Sequence, residues 1–136
     1  MTPTIFIDTS YVLALFNRDD TYHVAAKRWA SRLSARQFLT THAILLEIGN
    51  AFSKVNLRQF GVKILRRFEQ EEQIAIIPHS PELHEKAMYM YESRSDKEWG
   101  LIDCVSFVIM QDHQVAQALT TDAHFQQAGF RALLLE

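Results

Sequence analysis

Thr4-Ile5-Phe6-Ile7-Asp8-Thr9-Ser10 decides how this chain folds. Ile5, Phe6 and Ile7 favour extended backbone and run without alternation, the pattern of a strand buried on both faces of a parallel sheet. An acid and two hydroxyls follow. Tyr11-Val12-Leu13-Ala14-Leu15-Phe16 then begins a helix that Thr9 or Ser10 can cap. Open α/β sheets hold their ligands at the carboxyl ends of their strands. Asp8 therefore stands where a ligand site is expected, and the reading turns on which other side chains converge on it.

Outward from that stretch, apolar strands alternate with amphipathic helices, the signature of an α/β domain. The spacing predicts a helix over 22–33, a strand over 38–40, and a helix over 42–55 that Thr41 can cap. A further helix runs to 72, with Phe60, Ile64, Leu65 and Phe68 at helical spacing and Gly61 interrupting it. Ile74-Ala75-Ile76-Ile77 reads as a third strand stopped by Pro78. Ser80-Pro81-Glu82 starts a helix to about 92, with Ser as cap, Pro in the first turn and Glu answering the dipole. A polar loop spans 93–100. Residues 101–112 are apolar almost all round, as in a buried helix. A strand over 115–119, a short helix opened by Asp122 and ended by Gly129, and a strand over 130–134 complete a sheet of about five strands.

The chain has 136 residues, and 48% of them are apolar, enough for one domain over 1–136 with its own core. No apolar run approaches the roughly 20 residues of a membrane span. Met1-Thr2-Pro3-Thr4 lacks the basic start of a secreted leader, so a cytoplasmic location is expected. Cys104 lies in an apolar stretch and reads as a small buried side chain. The net charge of −2 argues against a broadly basic nucleic-acid binder but not against a nuclease, because carboxylates that hold cations count in that sum.

Four acids share one topological position. Asp8 follows the first strand, Glu47 lies in the early turns of the helix after the second, Asp103 opens the apolar helix, and Asp122 follows the fourth strand. Strand ends and the helix starts after them share one edge of a parallel sheet. That places Asp8, Glu47 and Asp122 together, and Asp103 with them if its helix starts at the same edge. Each also has a structural reading. Asp8 and Asp122 can cap helices, Asp103 can answer a dipole, and Glu47 can be a solvated helix residue. Against that reading, Asp103 runs into Cys104, Val105, Phe107 and Val108, where an unpaired charge is costly. Oxygen donors alone suit Mg2+ or Mn2+. Hydroxyls at Thr9, Ser10 and Thr121 can support such a site. Its chemistry would be phosphodiester hydrolysis. The histidines are scattered without zinc-site spacing, and each reads as a surface or cap residue. There is no Gly-rich phosphate loop and no G-x-S-x-G motif.

With these residues in place, the chain resembles the PIN-domain family, in particular its small bacterial type, the VapC ribonuclease toxins. Phe6-Ile7-Asp8-Thr9-Ser10 resembles the family's opening. Leu45-Leu46-Glu47-Ile48, Leu101-Ile102-Asp103-Cys104-Val105-Ser106-Phe107 and Leu119-Thr120-Thr121-Asp122-Ala123-His124-Phe125 resemble its later acidic motifs, in the family's order. The resemblance implies a three-layer α/β/α sandwich and a Mg2+- or Mn2+-dependent endoribonuclease. Asp8 and Asp103 would be the main metal ligands, with Glu47 and Asp122 direct or through water. Thr9, Ser10 and Thr121 would be auxiliary, and Asp96 a less central extra acid. The resemblance also implies an RNA substrate, a small antitoxin partner and a homodimer. Tyr11, Phe16, Tyr22 and Trp29 can either form a groove for that partner or belong to the core. Lys54, Lys63, Arg66 and Arg67 form the best candidate patch for RNA phosphates, or else a solvated face. The competing reading of the whole chain is a non-catalytic α/β binding or signalling module that keeps the acidic pocket. A phosphoacceptor receiver would want an acidic pair near the first strand, and a haloacid-dehalogenase-like phosphatase would want an acid where Ser10 stands.

Overall fold

The computed structural model describes residues 2–136. Strand β1 (Ile5–Ile7) is buried along its whole length at the centre of a parallel sheet. It pairs on one side with β2 (Phe38–Thr41) and on the other with β4 (Gln117–Leu119). β3 (Ile74–Ile77) and β5 (Arg131–Ala132) form the edges, giving the order β3-β2-β1-β4-β5. The helices are α1 (Thr9–Phe16), α2 (His23–Arg32), α3 (His42–Ala51), α4 (Val55–Gln70), α5 (Pro81–Ser93), α6 (Leu101–Asp112) and α7 (Ala123–Gln127).

Right-handed crossovers explain the layers. The chain steps from β1 to β2 to β3 in one direction, which places α1 to α4 on one face. It then reverses to β4 and β5, which places α5, α6 and α7 on the other. The packing agrees: α1 lies against α2 and α3, α3 against α4, α5 against α6, and α6 against α7. The reversal opens a crevice where β1 and β4 end side by side. Beneath it, Phe6, Phe107 and Phe125 are fully buried, and Trp99 meets Phe107 edge-on at 5.0 Å between ring centroids. Cys104 is buried and free. Among the described residues no helix is long and apolar enough to cross a membrane.

Several helix ends form as their sequences predict. Thr41 Oγ1 accepts from the Ile44 N–H at 3.2 Å, and Ser80 Oγ from the Leu83 N–H at 3.1 Å ahead of Pro81. Gly129, at φ +95°, follows the last helix. Other boundaries differ. Neither Thr9 nor Ser10 caps α1: the helix begins at Thr9, extended Asp8 precedes it, and both hydroxyls turn to carboxylates instead. The helix expected over 42–55 stops at Ala51, because Ser53 Oγ donates to the carbonyls of Gly49 and Asn50 at 3.1 and 2.8 Å. Strand β4 starts two residues late because the Val115 N–H is taken by the Met110 carbonyl. Pairing of β5 ends at Ala132, and Leu133–Leu135 coil into a short 3-10 turn that buries Leu133 and Leu134.

Gly61 has a packing reason to interrupt the apolar pattern. A Cβ there would lie 2.7 Å from the Phe52 Cβ, closer than two carbons pack. Both atoms are fixed to backbone, so no rotamer change relieves the clash. Gly61→Ala is therefore expected to lower stability by about 2 kcal/mol in urea unfolding, although alanine is the better helix former. A stabilised variant would show that α4 and the end of α3 do not approach this closely.

Candidate active site

The crevice above β1 and β4 collects the four acids. Extended backbone after β1 delivers Asp8, the second turn of α3 delivers Glu47, the first turn of α6 delivers Asp103, and the turn after β4 delivers Asp122. All four line one open cleft of about 690 Å3, with Thr9, Ser10 and Thr121. Among the described residues no lysine or arginine lines it.

Each carboxylate is gripped by one oxygen. Asp8 Oδ2 accepts from Ser10 Oγ and Thr120 Oγ1, both at 2.8 Å. Glu47 Oε1 accepts from Thr9 Oγ1 at 2.6 Å. Asp103 Oδ2 accepts from the Gly100 N–H at 3.1 Å, which also starts α6. Asp122 Oδ1 accepts from the His124 N–H at 2.9 Å, which caps α7. Among the described residues the second oxygen of each acid has no protein donor. The hydroxyls are themselves fixed: Ser10 Oγ accepts from the Thr121 N–H and Thr120 Oγ1 from the Asp122 N–H, each at 3.0 Å.

The charges are poorly compensated. Burial pushes the Asp8 carboxyl from 3.8 up to about 6; hydrogen bonds from Thr120 and Ser10 oppose the rise, and the charges of Glu47 and Asp103 add to it. Burial also raises Asp103, reinforced by the charge of Asp122 and opposed by the Gly100 N–H and His124. Carboxylate oxygens suit a hard divalent ion, and among the described residues the group at mutual ligand distance is Asp103, Asp122 and His124, with Asp8 and Glu47 lining the same cleft outside it. One donor atom each of Asp103, Asp122 and His124 lies within 4.8 Å of the others.

Not every expected residue reaches this place. Asp96 does not: it sits on the exposed loop after α5, paired with Arg94 at 3.1 Å and Lys97 at 3.8 Å. Lys54, Lys63, Arg66 and Arg67 are exposed and lie outside the cleft lining. Arg66 and Arg67 pair along α4 with Glu69 and Glu71 at 2.8 and 3.5 Å. Of the aromatic residues, Tyr11 is buried and Phe16 exposed, and both line an apolar pocket of about 240 Å3 on the other side of α1. His124, expected to be a surface or cap residue, instead brings its ring to Asp103 and Asp122. Its signal was the Asp122-x-His124 spacing across the start of a short helix.

With that geometry in place, comparison with known proteins is decisive on class. Residues 5–131 match the PIN domain, and the chain belongs to that family. Within it, the chain is VapC-like. It is 28% identical over 129 residues to the 23S rRNA-specific endonuclease VapC20 of Mycobacterium tuberculosis, across 93% of this chain and 95% of the relative. The crystal structure of that VapC20, described as a sarcin-ricin loop cleaving toxin, superposes with a TM-score of 0.82 at 26% identity, covering 93% of this chain and 95% of the other. FitAcB from Neisseria gonorrhoeae shares the fold, with a TM-score of 0.68 at 16% identity and 94% coverage of both chains.

Proposed function

We propose that this chain is a divalent-metal-dependent endoribonuclease of the VapC toxin type, hydrolysing RNA phosphodiester bonds. One observation carries the reading: four acids from distant parts of a PIN-domain chain line one cleft that, among the described residues, no lysine or arginine lines. Asp8 and Asp103 would hold the ion, with Glu47 and Asp122 in direct or water-mediated support. The chemistry such an ion supplies when bound is charge neutralisation at the scissile phosphate and activation of the attacking water.

The chain's own side chains do the positioning. Ser10 and Thr120 fix the Asp8 carboxylate, Thr9 fixes Glu47, and Gly100 fixes Asp103. Their acids also act as a gate. A phosphate approaching the empty cleft meets only negative charge, so RNA entry depends on the ion. Lys54 and Lys63, which form no ion pair among the described residues, are the proposed contacts for RNA phosphates beyond the cleft, with Arg66 and Arg67 beside them.

The same reading treats residues 1–136 as one working domain and assigns a small antitoxin as partner, a homodimer and a cytoplasmic location. Its support is the likeness to a relative described as a toxin. The test is cleavage of a sarcin–ricin stem-loop and of an unrelated RNA with Mg2+, with Mn2+ and in EDTA. Cleavage is expected with either ion, none in EDTA, and recovery on adding metal back. Undiminished cleavage in EDTA would overturn the metal-dependent mechanism.

A further inference from the structure

The cleft has two unlike halves. On one side hydroxyls alone attend the acids: Ser10 and Thr120 on Asp8, and Thr9 on Glu47. On the other, Asp103 and Asp122 face a nitrogen. His124 Nδ1 lies 3.3 Å from Asp103 Oδ2 and 3.4 Å from Asp122 Oδ1. We propose that His124 ligates the ion of the Asp103–Asp122 half through Nδ1, and that this nitrogen makes that half favour Mn2+ over Mg2+. The inference rests on the metal-dependent reading above and adds a donor that the acids do not supply.

Three observations carry it. The contact to Asp103 is a long hydrogen bond, beyond the roughly 2.8 Å of a charge-assisted one, and both distances are close to the roughly 3 Å between neighbouring donors around a six-coordinate ion. Holding the carboxylates does not need the imidazole, because backbone N–H groups of Gly100 and of His124 itself already grip the same two oxygens, each of which keeps a second lone pair for an ion. The backbone that carries the imidazole is also held in place, since the His124 N–H is committed to Asp122 and the next residue, Phe125, is fully buried.

The metal preference follows from ligand chemistry. Mg2+ keeps to oxygen and water at near-ideal octahedral geometry. First-row transition ions, Mn2+ among them, accept imidazole nitrogen as well as carboxylate oxygen. A neutral imidazole also adds a ligand without adding negative charge to an already crowded cleft.

The deciding measurement is pulsed EPR of the full chain loaded with Mn2+, with calorimetric titration of Mn2+ and of Mg2+ alongside. Nitrogen-14 modulation from a directly bound imidazole is expected in the wild-type protein and should vanish in His124→Ala. Mn2+ affinity should fall about tenfold or more in that variant, and Mg2+ affinity less than about twofold. Mn2+ bound with no nitrogen modulation would overturn the inference and leave the metal-dependent reading standing. No Mn2+ binding at all would overturn both. Modulation that survives His124→Ala would assign the nitrogen elsewhere and overturn the inference. If His124→Ala fails to fold, His124→Gln takes its place, and the imidazole modulation is expected to vanish there too.

Discussion

Asp103→Asn is expected to lower RNA cleavage to about a thousandth of wild type while leaving the fold intact. The substitution is nearly isosteric, and the amide oxygen can still accept from the Gly100 N–H that starts α6. What disappears is a negative charge between Asp8 and Asp122. A catalytic ion contributes several kcal/mol of charge stabilisation, and each 1.4 kcal/mol or so is worth a factor of about ten in rate. Single-turnover cleavage of labelled RNA, with circular dichroism to confirm folding, reads both effects. A variant within tenfold of wild type at saturating Mn2+ would remove Asp103 from the set of principal ligands.

Asp8→Asn is expected to pull activity and stability in opposite directions. Cleavage should fall as far as in Asp103→Asn, yet the metal-free variant should be the more stable protein at neutral pH. Burial pushes the Asp8 carboxyl from 3.8 up to about 6, so the folded state holds its proton over a range in which the unfolded chain has released it. Raising the pH through that range favours unfolding. Metal-free wild type should therefore lose stability between about pH 4 and pH 6 and stay at the lower level above. The rise corresponds to about 3 kcal/mol at neutral pH. Asn at position 8 removes the ionisation while its amide oxygen still accepts from Ser10 and Thr120. Urea unfolding in EDTA across pH 4–8 should show a falling curve for wild type and a flatter one for Asp8→Asn. Parallel curves would mean that the Asp8 carboxylate is not held at a cost. In wild type, added Mn2+ should restore the lost stability at pH 7 and do little at pH 4, where Asp8 is protonated.

Much of this site is legible in the chain itself. Ile5-Phe6-Ile7 running into Asp8 reads as a buried strand whose end carries an acid, and chain order places Glu47 and Asp122 at the same sheet edge, with Asp103 joining them only if its helix starts there. Local signals that stand alone were also readable, such as Thr41, Ser80 and Pro81 at helix starts. Less legible was anything decided between distant residues. Thr9 and Ser10 look like caps because capping is their commonest local use. Only the fold shows that Glu47 takes the Thr9 hydroxyl and that the Ser10 oxygen accepts from the Thr121 N–H. Gly61 looked like a weakness in a helix, and the reason for it is Phe52, nine positions away. His124 was hidden because an isolated histidine has no periodicity, and its meaning comes from Asp103, brought to it by another helix. Asp96 erred the other way: an acid near Asp103 in sequence, it is captured by Arg94 two residues before it.

The bond from Thr120 to Asp8 joins residues 112 positions apart. Because its second neighbour is β4, the first strand has only one partner until most of the polypeptide has been synthesised. A nascent chain still short of that threonine holds Asp8 without its deepest partner and has not yet made Asp122. Completion of the acidic cleft is thus a late event in biosynthesis, and prematurely terminated products are expected to lack its full set of acids.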